Sequence, residues 1–173
     1  MDYTDTRNTP DDTRLGQLAG AVGDALRQRG LRLTAAESCT GGWIAKLVTD
    51  VPGSSEWFER SVVTYSNAAK LDLLGVDPAV LERHGAVSDE VVRAMAEGAL
   101  ERSDADVAVA VTGVAGPDGG SERKPVGLVW FGWALRSGFL VSRPERFPGD
   151  RDAVRRCAAG VAMEGVLRQL KAD

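Results

Sequence analysis

Val107-Ala108-Val109-Ala110-Val111 is continuously apolar and built from small side chains. A strand with one wet face would alternate apolar and polar residues, so this run predicts a central strand covered on both faces. Directly after it, residues 114–125 are rich in Gly and Pro and predict a long loop. Two further apolar stretches, 126–135 and 139–147, meet at Ser137-Gly138 and read as an antiparallel hairpin. A final helix turns Val154, Cys157, Ala158, Val161, Ala162 and Leu170 inward.

Working back from the central strand, Ser88 caps a helix whose first turn carries Asp89 and Glu90, suiting the positive end of the helix dipole. Its buried stripe is Val92, Met95, Ala96, Ala99 and Leu100. Asp77-Pro78 starts a short helix by cap and first-position proline, ending near His84 before Gly85. Asn67 opens another, through Lys70 to Leu74. Val62-Val63-Thr64-Tyr65 is β-branched and aromatic, hence a strand, and residues 31–36 read as a second one. From Leu15 the spacing of Leu18, Ala19, Val22, Ala25 and Leu26 predicts an amphipathic helix closed by Gly30. Helices alternating with strands, then a hairpin, predict an α/β fold: a single three-layer α/β/α sandwich with a mixed, mostly parallel sheet of about five strands. Residues 1–12 read as a flexible acidic tail and 13–173 as one domain.

Composition narrows the function. The 173 residues carry 21 Lys and Arg against 25 Asp and Glu, a formal net charge of -4. That balance argues against a nucleic-acid partner, which selects a basic surface. No apolar run approaches a membrane span, no signal peptide precedes the domain, and a cytoplasmic protein is expected. Cys39 and Cys157 are isolated, and the one histidine, His84, sits where a helix ends. Neither a zinc cluster nor a histidine-based hydrolase fits this inventory.

Four segments remain that can carry chemistry. Glu37-Ser38-Cys39-Thr40-Gly41-Gly42 lies between a strand and a helix, where free N–H groups can hold an oxyanion and paired glycines admit a substrate. Read alone, Ser38 is more simply an N-cap. Tyr65-Ser66-Asn67-Ala68-Ala69-Lys70 lies at another strand end, and a lysine whose pKa is lowered can replace histidine as the base for a serine. Read alone, it is a core-edge tyrosine and a solvated lysine. Thr112-Gly113-Val114-Ala115-Gly116-Pro117-Asp118-Gly119-Gly120 suits a backbone that wraps a polar ligand. Gly149-Asp150-Arg151 offers a bidentate cation before the last helix, among Arg143, Arg146, Arg155 and Arg156.

Together these segments, with Pro52-Gly53-Ser54-Ser55, Leu74-Gly75-Val76, Gly85-Ala86-Val87-Ser88 and Lys124-Pro125-Val126-Gly127, resemble the CinA C-terminal domain family across residues 14–170. The resemblance implies the same sandwich fold and hydrolysis of the carboxamide of nicotinamide mononucleotide, giving nicotinic acid mononucleotide and ammonia. It implies Ser38 as nucleophile, Lys70 as general base and Tyr65 as an aid to proton transfer. It assigns Thr40, Gly41, Gly42, Thr112, Gly113, Gly116, Gly119, Gly120 and Arg151 to the substrate, with no metal and no cofactor. Two rivals are a non-catalytic nucleotide-binding domain of the same fold and an amidase of another small substrate. Exposed tryptophans and the apolar hairpin point to a homodimer.

Overall fold

The computed structural model describes residues 9–172. In chain order the elements are α1 (Asp12–Arg29), β1 (Leu33–Glu37), α2 (Trp43–Thr49), β2 (Phe58–Val63), α3 (Asn67–Leu74), α4 (Pro78–His84), α5 (Asp89–Glu101), β3 (Val107–Gly113), β4 (Leu128–Leu135), β5 (Leu140–Arg146) and α6 (Arg151–Ala172). One five-stranded sheet has the order β2-β1-β3-β4-β5. β2, β1 and β3 are mutually parallel, while β4 is antiparallel to both β3 and β5. Four of the five strands therefore point the same way, and the hairpin supplies the single reversed one.

β3 is the middle strand, and its side chains sort by size. Val107, Val109 and Val111 join a core with residues of α1, α2 and α6, whereas Ala108 and Ala110 join a second core with α5. Small residues on that second face let α5 lie close on the sheet. A Cβ added at Gly132 would meet the carbonyl oxygen of Val92 at 2.9 Å. The alternation of Val and Ala thus encodes two layer spacings, not only burial.

The local signals act as anticipated at most helix ends. Ser66 and Ser88 cap α3 and α5 through their side chains, and Asp77 caps α4 ahead of Pro78. Three expectations need correction. α1 begins at Asp12, before its first apolar residue, because the Asp11 carboxylate accepts from the Arg14 N–H at 2.8 Å. Of the expected tail, residues 1–8 lie outside the described residues. β2 spans 58–63 rather than 62–65: it is an edge strand, and its Glu59–Arg60 ion pair masks the apolar pattern. Finally, no tryptophan is exposed. Trp57 and Trp133 are buried, Trp130 packs partly buried against the α5 core, and Trp43 lies beneath the guanidinium groups of Arg155 and Arg156.

Candidate active site

β1 delivers Ser38 to the carboxyl edge of the sheet, level with the ends of both neighbours. Glu37 pairs with Val63 on one side and Val111 on the other, and the Ser38 N–H donates to the Val111 carbonyl at 3.0 Å. The chain then turns sharply into α2. Gly41 and Gly42 have φ of 60° and 94°, a left-handed pair that side chains with a Cβ rarely adopt.

Lys70 enters from α3, 1% exposed. Its Nζ lies 3.1 Å from Ser38 Oγ, 2.7 Å from the Thr64 carbonyl and 3.5 Å from the Tyr65 carbonyl. Among the described residues no carboxylate pairs with it, and burial holds its pKa below the usual lysine value. Whenever Nζ is deprotonated, its two N–H groups can serve the two carbonyls and its lone pair is left for the serine hydroxyl. Cys39 is no rival nucleophile: burial pushes its thiol up to about 12.

The remaining expected positions divide. Thr112 stands beside Ser38 on β3, buried, its hydroxyl donating to the Ala86 carbonyl at 2.9 Å. Thr40 is fully buried, and its hydroxyl has no hydrogen-bond partner among the described residues. Tyr65 is exposed; its hydroxyl accepts from Arg151 at 2.8 Å, and only its main-chain carbonyl reaches Lys70. The phenol is thus joined to the arginine rather than to the lysine. Arg151 also donates to the Gly116 carbonyl at 2.8 Å, tying the start of α6 to the glycine loop. In that loop, Gly113, Gly116 and Gly120 sit where a Cβ would strike Leu128 or Val126, so they serve the loop's own packing. Gly119, with φ of 87°, faces open space. Between this loop and α6 lies a cleft of about 620 Å³ bordered by Ala115, Pro117, Val126, Arg151 and Arg155.

Two residues at the site escaped sequence reasoning. Glu37, fully buried, accepts from the N–H groups of Gly42, Ile44 and Ala45 and from Ser61 Oγ, all at 2.9–3.0 Å. Its signal was present: an acid closing the apolar strand Leu33-Thr34-Ala35-Ala36 just before a helix needs that helix's N-terminus. Arg155 donates from Nε to the Cys39 carbonyl at 3.1 Å and from Nη2 to the Thr40 carbonyl at 3.0 Å. Nothing in the sequence separates it from its neighbouring arginines. Among the described residues no three His, Cys, Asp or Glu side chains gather where they could hold a metal.

By fold and site this is a three-layer α/β/α domain with a serine in contact with a buried lysine, unpaired with any carboxylate among the described residues, at the carboxyl ends of its parallel strands. The chain belongs to the CinA C-terminal domain family, whose model matches residues 15–170. It is 56% identical over 158 residues to nicotinamide-nucleotide amidohydrolase PncC of Escherichia coli strain K12, covering 91% of this chain and 96% of that one. The Pseudomonas putida protein of the same name is 53% identical, covering 87% and 94%. A CinA-like protein of Geobacter sulfurreducens is 50% identical, but the match spans only 40% of its length. Among solved structures, the competence/damage inducible protein CihA from Agrobacterium tumefaciens superposes with a TM-score of 0.89 at 42% identity, covering 95% of this chain and 98% of that one. A CinA superfamily protein from Klebsiella pneumoniae also reaches 0.89, at 39% identity with 92% and 99% covered.

Proposed function

We propose that the protein hydrolyses the carboxamide of nicotinamide mononucleotide to nicotinic acid mononucleotide and ammonia, with Ser38 as nucleophile and Lys70 as general base. The observation that carries this reading is the 3.1 Å contact between Ser38 Oγ and a buried lysine that has no anionic partner among the described residues. The names of the Escherichia coli and Pseudomonas putida relatives, whose whole length the chain nearly spans, support the substrate.

In this mechanism Ser38 Oγ attacks the amide carbon as its proton passes to Lys70 Nζ. The carbonyl oxygen becomes an oxyanion beside the turn. There the N–H groups of Cys39 and Thr40 make no hydrogen bond among the described residues, whereas those of Ser38, Gly41 and Gly42 already have acceptors. Each such donor is worth about 3–4 kcal/mol in a well-studied hydrolase. Collapse breaks the C–N bond, and Lys70 returns its proton to the departing amine, which leaves as ammonia. Water, deprotonated by Lys70, then cleaves the nicotinyl ester, releasing the acid and restoring Ser38. Arg151, whose Nη atoms hold Gly116 and Tyr65, and Arg155 are the cations at the cleft for the nucleotide's phosphate, and a cleft of about 620 Å³, lined also by Asp150 and Asp152, is of the size that small nucleotides fill.

The test is ammonia release from nicotinamide mononucleotide by chelator-treated protein, beside Ser38→Ala and Lys70→Ala. Release that both variants lose is expected; nucleotide binding without release would favour the non-catalytic reading. Nicotinamide and nicotinamide riboside, which lack the phosphate, are expected to be poor substrates. A homodimer belongs to the same proposal. The side chains of Val63, Leu73 and Phe139, close to half exposed, support it, and sedimentation decides between one copy and two. Two buried free thiols support a cytoplasmic setting.

A further inference from the structure

The geometry points to Arg155 as the residue that aims the oxyanion-stabilising N–H of the nucleophile turn; this rests on the serine–lysine reading above. A peptide unit is planar and trans, so its C=O and N–H point in opposite directions. Arg155 Nε holds the Cys39 carbonyl at 3.1 Å. The N–H on the far side of that same peptide belongs to Thr40, which, like the N–H of Cys39, makes no hydrogen bond among the described residues. Anchoring the oxygen on the α6 side therefore directs the Thr40 N–H away from α6.

The next peptide is held by the same fork. Arg155 Nη2 donates to the Thr40 carbonyl at 3.0 Å, and the Gly41 N–H across that peptide closes the turn onto the Ser38 carbonyl at 3.0 Å. Glu37 grips the turn from its other end, through the N–H of Gly42. The guanidinium is itself fixed, stacked on Trp43 at 5.2 Å from the ring centre. A cation bonded to a carbonyl also polarises the peptide, making its N–H a stronger donor. Arg155 is thus a positioning residue acting through the backbone. A lysine, with a single point charge on a flexible stem, cannot hold both carbonyls in this geometry.

Because Arg155 also borders the cleft, its test must separate aiming the turn from gripping the substrate. Turnover of nicotinamide mononucleotide is compared with that of thionicotinamide mononucleotide, in which sulfur replaces the carboxamide oxygen and accepts hydrogen bonds weakly. Arg155→Ala is expected to lower kcat on the amide about 10- to 100-fold, less than the roughly 100- to 1000-fold for removing a donor outright. KM stays within about threefold, the thioamide rate changes little, and the amide-to-thioamide ratio falls with kcat. Added guanidinium ion restores part of the amide rate. A raised KM with kcat unchanged would make Arg155 a substrate arm, and equal losses on both substrates would make it merely structural; either overturns the proposal. If Arg155→Ala fails to fold, Arg155→Lys carries the same comparison, with a smaller shift of the ratio in the same direction. Ser38→Ala is run alongside. Full turnover by that variant removes the reading beneath the proposal, whereas its inactivity together with parent-like Arg155 variants removes the proposal alone.

Discussion

Lys70 is buried with no counter-charge among the described residues, and that placement carries a cost to stability beside the role proposed for it. Its pKa lies below the usual 10.5 because burial disfavours the ammonium. The folded state therefore binds this proton less tightly than the unfolded chain. The resulting destabilisation is greatest at low pH and fades as pH rises toward the unfolded value. Lys70→Met is expected to raise the melting temperature while abolishing ammonia release, with the gain larger at pH 7 than at pH 10; melts at the two pH values check this. In the parent, kcat should climb with pH along a limb whose midpoint lies below 10.5, and Lys70→Arg, which stays protonated, should be inactive throughout. At Glu37 the expected result is structural. A glutamine there offers one oxygen and two N–H groups to three backbone N–H donors, so Glu37→Gln should lower stability by about 2–3 kcal/mol, read by urea unfolding. Ser38 and Lys70 stood in the sequence as candidates at two strand ends, but their own segments read more simply as an N-cap and a solvated lysine, and only the family resemblance singled them out. The service of Glu37 and Arg155 was not legible, since both act on backbone groups that only the fold brings within reach.

At the scale of elements, glycine reports how closely layers approach. Gly98 of α5 has no room for a Cβ, which would meet the Leu74 carbonyl oxygen at the end of α3 at 2.0 Å. Gly20 of α1 faces open space. Both lie inside helices, where alanine is ordinarily better by about 0.5–1 kcal/mol. Gly20→Ala should therefore stabilise by about that amount, whereas Gly98→Ala should destabilise by about 1–3 kcal/mol through overpacking; paired thermal melts decide the signs. The starts of α4 and α5 were legible because Asp77 and Ser88 cap locally, whereas the cap of α3, Ser66, was not read although its first residue Asn67 was. β2 was misplaced because an edge strand carries charges that periodicity reads as loop.

For the molecule as a whole, the site is assembled from β1, β3, α3, the glycine loop and α6, with Arg151 bridging Tyr65 and Gly116 across 86 and 35 positions of sequence. Nucleotide binding across these parts should stabilise the entire fold. In Ser38→Ala, nicotinamide mononucleotide at 100 times its Kd should add about 2.7 kcal/mol, roughly 5–10 °C in melting temperature. Nicotinamide riboside at the same concentration should add much less. The sequence by itself determined the layers, since the run at 107–111 demands cover on both faces and the cap residues mark the helix starts. It also placed a serine and a lysine at strand ends. Only the tertiary structure decided that they touch, that Tyr65 turns its hydroxyl to Arg151, and that Glu37 and Arg155 grip the Ser38–Gly42 turn from opposite sides. Periodicity and capping act over a few residues, whereas those contacts depend on sheet register and on how closely each helix packs against the sheet.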